Sequence, residues 1–162
     1  MEELEKMDST IAFLEKYEKD KPITGILRYK VYKNGVLQEE REEKNLIVNG
    51  AREQMARLVA GDAAGRSITR IAFGEDGTAP RAADATLTNP FTKNISGFSF
   101  PQMGSVLFNW DLTVNEANGK AILEFGLVTA DETLFSRRVR ENGQPIHKDR
   151  DISLAGEWEI IF

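Results

Sequence analysis

The sequence predicts a mainly β protein: an antiparallel β-sandwich with one packed α-helix and an N-terminal helical extension. Three observations lead there. From Ile23 onward the apolar residues fall in short runs that alternate with polar ones, the period of half-buried strands. Asn-Gly pairs at Asn34-Gly35, Asn118-Gly119 and Asn142-Gly143 punctuate those runs, the dipeptide that the tightest hairpin turns need. Only two stretches carry the three-and-four spacing of an amphipathic helix.

The chain has 162 residues, enough for one domain to bury roughly 70% of the surface it exposes when unfolded. It contains no Cys, which excludes disulfides, thiolate zinc sites and cysteine nucleophiles. The formal charge of −5 comes from 26 acidic and 21 basic residues with no long block of one sign. Binding to nucleic acid or to an anionic membrane needs a concentrated basic footprint, so neither partner is expected. No apolar run approaches the roughly 18 residues of a membrane span. The start, MEELEKMDST, has neither the basic flank nor the apolar centre of a signal peptide. The expectation is a chain made in a cytoplasm and kept there until assembled or released.

Taken in order, the first element is a helix over residues 2–20. Leu4, Met7, Ile11 and Leu14 recur at helical spacing, Phe13 and Tyr17 widen the stripe, and Pro22 ends it. This gives an arm over residues 1–21 and a β-domain over 22–162, the arm packing on its own domain or docking on a neighbour. Ile23, Leu27, Tyr29 and Val31 then share one side of a strand that ends at Asn34-Gly35. The return strand, from Val36 to Glu43, is so rich in charge that it reads as an exposed edge, protected against unwanted pairing. A helix from Ala51 to Ala60 follows, capped by Asn49 or Gly50, presenting Met55, Leu58 and Val59 as its apolar face and closing at Gly61-Asp62. Later strands are expected at 67–73, 93–100, 105–114, 120–129, 133–140 and 151–162, making eight or nine in all. The stripes around Trp110 and Trp158 are the candidates for the two inner faces of the sandwich.

The stretch from Ile68 to Leu87 is the most informative. Its first half is a strand; its second half has no period but contains Gly74, Gly77, Pro80 and Asp84, which resist regular structure. A long ordered loop in a chain of short runs serves binding or assembly.

Site chemistry is sparse. His147 is the sole histidine and lies in a charged turn, and no G-x-S-x-G elbow or phosphate loop occurs. Glu75-Asp76-Gly77-Thr78, and Asp149 with Asp151, fall short of a calcium loop's ligand set. No catalytic residue, cofactor or metal is therefore expected. Arg137, Arg138, Arg140, Lys148 and Arg150 form the one basic concentration, which could face the acidic strand around Glu39 to Glu43 in this subunit or another.

The segments NLIVNGAREQMARLVAGD, ITRIAFGEDGTAPRAADATLTNPF, ILEFGLVTADETLFSRR and PIHKDRDISLAGEWEIIF, in that order, resemble a family of bacteriophage and prophage tail proteins of the tail fibre, collar or baseplate type. The resemblance covers roughly residues 45–162 and rests on Phe73-Gly74, Gly77-Thr78, Pro80, Asp84 and Leu87 as a set. It implies a virion structural protein of the tail, synthesised in a host bacterial cytoplasm, without catalytic residues. Its expected partners are further copies of itself in a symmetric oligomer and other phage tail proteins. On this reading Leu4, Met7, Ile11 and Leu14 of the arm, with Gly74, Asp76, Gly77, Pro80, Asp84 and Leu87 of the loop, are the assembly contacts. The competing expectation is a carbohydrate- or receptor-binding β-sandwich module.

Overall fold

A computed structural model describes residues 23–162. The expected arm, with Leu4, Met7, Ile11 and Leu14, lies outside the described residues. The elements are β1 (Thr24–Lys33), β2 (Val36–Ile47), α1 (Asn49–Val59), β3 (Ile68–Gly74), β4 (Phe91–Asn94), β5 (Gly97–Ser99), β6 (Ser105–Leu112), β7 (Ala121–Ile122), β8 (Glu124–Thr129), β9 (Leu134–Val139), β10 (Ile146–His147) and β11 (Ile152–Ile161). Among the described residues the fold is mainly β and antiparallel with one helix. Nine strands form a continuous sheet in the order β4-β3-β8-β9-β2-β1-β11-β6-β5, and β7 pairs with β10 in a small second sheet.

That sheet curls strongly. Laid flat, β3 and β6 would stand about 29 Å apart at roughly 4.8 Å per strand, yet the Phe73 and Trp110 rings on these strands meet at 5.4 Å. Tyr29 on β1 likewise reaches Phe125 on β8, at 4.9 Å. The two edge strands, β4 and β5, are joined only by Ile95 and Ser96, so the sheet's ends approach within about 10 Å at that corner. The Ile95 amide donates to Thr69 and the Ser96 amide to Asn109, one bond to each end of the curl. Leu27, Tyr29, Phe73, Trp110, Phe125 and Trp158 line the core. As the alternation predicts, Leu27, Tyr29 and Val31 are buried.

The turn after β1 forms as its sequence dictates, with φ of 49° at Asn34 and 77° at Gly35, the left-handed pair of a type I′ hairpin. Other expectations need correction. Trp110 and Trp158 are both buried but do not face one another from two sheets: β6 and β11 are neighbours, with Trp158 opposite Phe108 and Trp110 opposite Gly156. Alternation fixes the face of a strand and leaves its neighbour open. The expected strand over 93–100 is two strands at opposite edges of the sheet. The helix buries Ala51 and Gln54 instead of Leu58 and Val59, and Val59 is 91% exposed. Gln54 wins the inner position through hydrogen bonds: its amide donates to Thr129 Oγ1 at 3.2 Å and to Asp131 Oδ1 at 2.6 Å, and its Oε1 accepts from Arg66 at 2.8 Å. Val48, with no side-chain cap, occupies the N-cap position.

The charged strand β2 is central in the sheet order. Glu43, Arg41 and Glu39 stand opposite Leu27, Tyr29 and Val31, and directly opposed residues share a face. These charges therefore point to the core side. Beyond β1, the only other ladder contacts of β2 among the described residues are Leu46 and Ile47 with β9. Where that ladder stops, side chains continue it: Arg138 Nε meets Glu43 Oε2 at 3.0 Å, and Arg140 Nη2 takes both oxygens of Glu39 at 2.9 and 3.0 Å.

Candidate functional site

The candidate site is the segment between β3 and β4. It lies on the outer face of the sheet, where Leu87 rests on Gly126 of β8. The loop is tied at its base, the Glu75 amide donating to the Thr88 carbonyl at 3.0 Å. The Glu75 carboxylate accepts from the Ala121 amide at 3.2 Å and from Asn89 Nδ2 at 3.1 Å. Further along, the Asn49 amide at the start of α1 donates to the Ala82 carbonyl at 2.8 Å.

Beneath the loop lies a buried ion cluster. Glu124 on β8 and Arg137 on β9 are both buried and meet through Nε and Oε2 at 2.7 Å. Glu124 Oε1 accepts from the amides of Thr88 at 2.7 Å and Asp76 at 3.3 Å. Arg137 Nη1 donates to Asp84 Oδ2 at 2.9 Å, and Nη2 donates to the carbonyls of Asp76 and Thr78 at 3.3 and 3.1 Å. One guanidinium thus spends its donors on both limbs of the loop. An unpaired charge at this depth would cost several kcal/mol, on the order of the penalty for any buried ion; here each is paired and hydrogen-bonded. Gly74 is required by this arrangement, since a Cβ there would stand 2.3 Å from Glu124 Oε1.

The loop is also internally braced. Asp84 Oδ2 accepts from the Arg81 amide at 2.8 Å. Asp76 accepts from the Thr78 amide at 2.9 Å and the Thr78 hydroxyl at 2.8 Å, and these two bonds hold its carboxyl below the usual carboxylate range. Gly74 is buried, Asp76, Pro80, Asp84 and Leu87 are partly covered, and Gly77 is exposed. Of the loop residues singled out in sequence, Gly74, Asp76 and Asp84 belong to one cluster; Leu87 secures the loop to the sheet. The exposed residues of the loop are Gly77, Thr78, Ala79, Arg81, Ala82, Ala83, Ala85 and Thr86, among them four alanines.

Arg137 and Glu124 were not identified as site residues from sequence. A signal exists for Glu124, which interrupts the apolar run AILEFGL, where a charge must be paired if both faces are covered; Arg137 stands between Ser136 and Arg138 in LFSRRV and carries no such mark. The basic concentration divides by the alternation of β9. Arg137 faces the loop on the outer side, while Arg138 and Arg140 reach Glu43 and Glu39 within the same subunit. Lys148 is buried beside Asn118 Oδ1, at 2.8 Å, and burial lowers its pKa.

His147 is exposed on β10. Among the described residues no group of three or more His, Asp or Glu is arranged to hold a metal, and no helix is long and apolar enough to cross a membrane. Trp110 and Trp158 are buried and offer no ring face to a sugar. Comparison of the chain with known family models, curated proteins and solved structures returns no match.

Proposed function

We propose that this chain is a structural protein of a phage tail or phage-tail-like particle, and that it acts by oligomeric assembly contacts. The observation that supports the reading is the braced loop. A buried Arg137–Glu124 pair fixes its inner side while Ala79, Ala82, Ala83 and Ala85, with Arg81 among them, are exposed to solvent. Such a loop presents one shape without paying ordering entropy at each contact, which repeated subunit interfaces favour. Its small side chains suit close approach of a neighbour's backbone. In this reading the two halves of the curled sheet act as a sandwich joined along β2, a stiff platform for the loop.

The braced geometry also selects the right experiment. Replacing residues 76–84 wholesale would strip Arg137 of its loop partners Asp76, Thr78 and Asp84 and disturb the buried pair beneath, so the contact is tested on exposed loop residues alone. Ala82→Glu with Ala85→Glu should leave the thermal transition unchanged and abolish oligomer formation, read by native mass spectrometry and electron microscopy. An unchanged oligomer would remove the loop from the interface. A wild-type chain that is strictly monomeric and binds no tail component would count against the function itself.

A further inference from the structure

We propose that Lys148 and Asn118 join through their side chains in an intramolecular isopeptide bond, a covalent staple formed with loss of ammonia. Asn118 lies in the turn between β6 and β7, and Lys148 directly follows β10. The backbone brings the two together: the Gly119 amide donates to the Lys148 carbonyl at 2.9 Å, and the Lys148 amide donates to the Lys120 carbonyl at 2.9 Å. Lys148 Nζ then reaches back to the turn and donates to Asn118 Oδ1 at 2.8 Å. The carboxamide carbon is one C=O bond, about 1.2 Å, from that oxygen, so the amine is at most about 4 Å from Cγ. A small side-chain rotation brings the pair to the roughly 3–3.5 Å separation of reacting atoms.

Lys148 is not placed as an ordinary lysine. It is 1% exposed, and its partners, Asn118 Oδ1 and the Asp149 carbonyl at 3.0 Å, are both uncharged oxygens. A buried ammonium needs a counter-charge and offers three donors. Two neutral acceptors instead match the two N–H bonds of a neutral amine and leave its lone pair for attack. Burial lowers the pKa of this group against the opposing fields of Asp149, Glu116 and Asp151, and a desolvated, neutral lysine is a nucleophile.

Asn118 is prepared as well. Its Nδ2 donates to the Val114 carbonyl at 3.0 Å, which sets the carboxamide with Oδ1 towards Lys148. The residue itself is exposed, so water can carry a proton there and the leaving group has a path out. In an Asn-Gly pair the usual nucleophile is the following backbone nitrogen, which closes a succinimide. Here the Gly119 amide is engaged with the Lys148 carbonyl, and Lys148 Nζ is the nucleophile at hand. The step balances without oxidant, reductant or cofactor. The Nζ lone pair forms the bond to Cγ, the Cγ–Nδ2 bond breaks, and one amine proton passes through water to Nδ2, which leaves as ammonia. The new bond ties the start of β7 to the end of β10 and encloses β8 and β9, with Glu124 and Arg137. In a chain without Cys it takes the place of a disulfide, and it does not depend on the assembly reading.

The test is the intact mass of the purified full-length chain, denatured after prolonged incubation in the folded state. The expected major species is lighter than the sequence, with Met1 kept or removed, by about 17 Da, one ammonia lost to the lysine nucleophile. Digestion and tandem mass spectrometry should then give a branched peptide joining residues 118 and 148. Lys148→Arg and Asn118→Ala should each restore the mass of their own sequence. The full sequence mass in wild type would overturn the proposal, whatever the variants do. So would a loss that persists in Lys148→Arg, the mark of a succinimide at an Asn-Gly pair.

Discussion

The β9 side and the β5 edge are two places where the curled sheet needs help, and they receive it in opposite ways. At β9 the ladder to β2 is only Leu46 and Ile47 long, and arginines complete it. Arg138 and Arg140 close the inner side on Glu43 and Glu39, and Arg137 locks the loop on the outer side. At β5 no ion pair is seen among the described residues; Phe98 and Phe100 stand in contact with each other, 5.8 Å between centroids, and open to solvent. The contrast separates two uses of side chains. Paired charges fix one geometry and penalise every other, so they suit a loop whose shape matters. An apolar groove accepts any well-shaped apolar cover, so it sets no single geometry.

The most damaging way to break the comparison is at Arg137. Arg137→Met leaves Glu124 buried without a counter-charge and should cost about 3–5 kcal/mol, read by chemical denaturation, with faster hydrogen exchange at the Asp76 and Thr88 amides. Arg140→Leu should cost less, about 2–3 kcal/mol, since its partner Glu39 can recover water; it also removes the bond to the Tyr29 hydroxyl at 2.9 Å. Gly74→Ala, which drives a methyl group into Glu124, should cost about 1–2 kcal/mol by overpacking. Val59→Ser should change stability by no more than about 0.5 kcal/mol, because that side chain is exposed; a loss comparable with a core substitution would restore it to the helix's buried face.

Acid distinguishes the two regions as well. Burial alone would raise the pKa of Glu39, but hydrogen bonds from Arg41 and Arg140 outweigh it and hold the carboxyl below its ordinary value. Glu75 and Asp76 are lowered too, Glu75 first by Asn89 and Asp76 first by the Thr78 amide. Carboxylates depressed in the folded state contribute stability that is present above their unfolded pKa, about 4, and lost as pH falls through the lower folded values. Denaturation midpoints should therefore fall below about pH 4, and more shallowly in Arg140→Leu, which removes one cause of the shift at Glu39.

Local structure was legible in the sequence where one period or one dipeptide decides it. The inward side of β1, the Asn34-Gly35 turn and the burial of Trp110 and Trp158 follow from alternation and from positive φ. Pairing partners were not legible. Nothing in the alternation of β6 and β11 says that they are neighbours, and the short link at Ile95-Ser96 does not announce that it crosses between the sheet's two edges. Polar residues in inner positions misled most. β2 reads as a solvated edge until Arg138 and Arg140 supply partners some 95 to 101 positions away, and Gln54 outcompetes Leu58 for burial only because Thr129, Asp131 and Arg66 satisfy its amide. For the loop, the sequence singles out Gly74, Asp76, Gly77, Pro80, Asp84 and Leu87 as assembly contacts; that Asp76 and Asp84 instead meet one guanidinium could not be read there, since Arg137 lies more than fifty residues further on.

The measurement that bears most directly on the proposed assembly role is native mass spectrometry of the purified full-length chain, alone and mixed with candidate tail components. A closed oligomer of fixed size, or a defined complex with a tail component, lost in Ala82→Glu/Ala85→Glu at an unchanged thermal transition, is the predicted result. A monomer at every concentration that binds no component would contradict it.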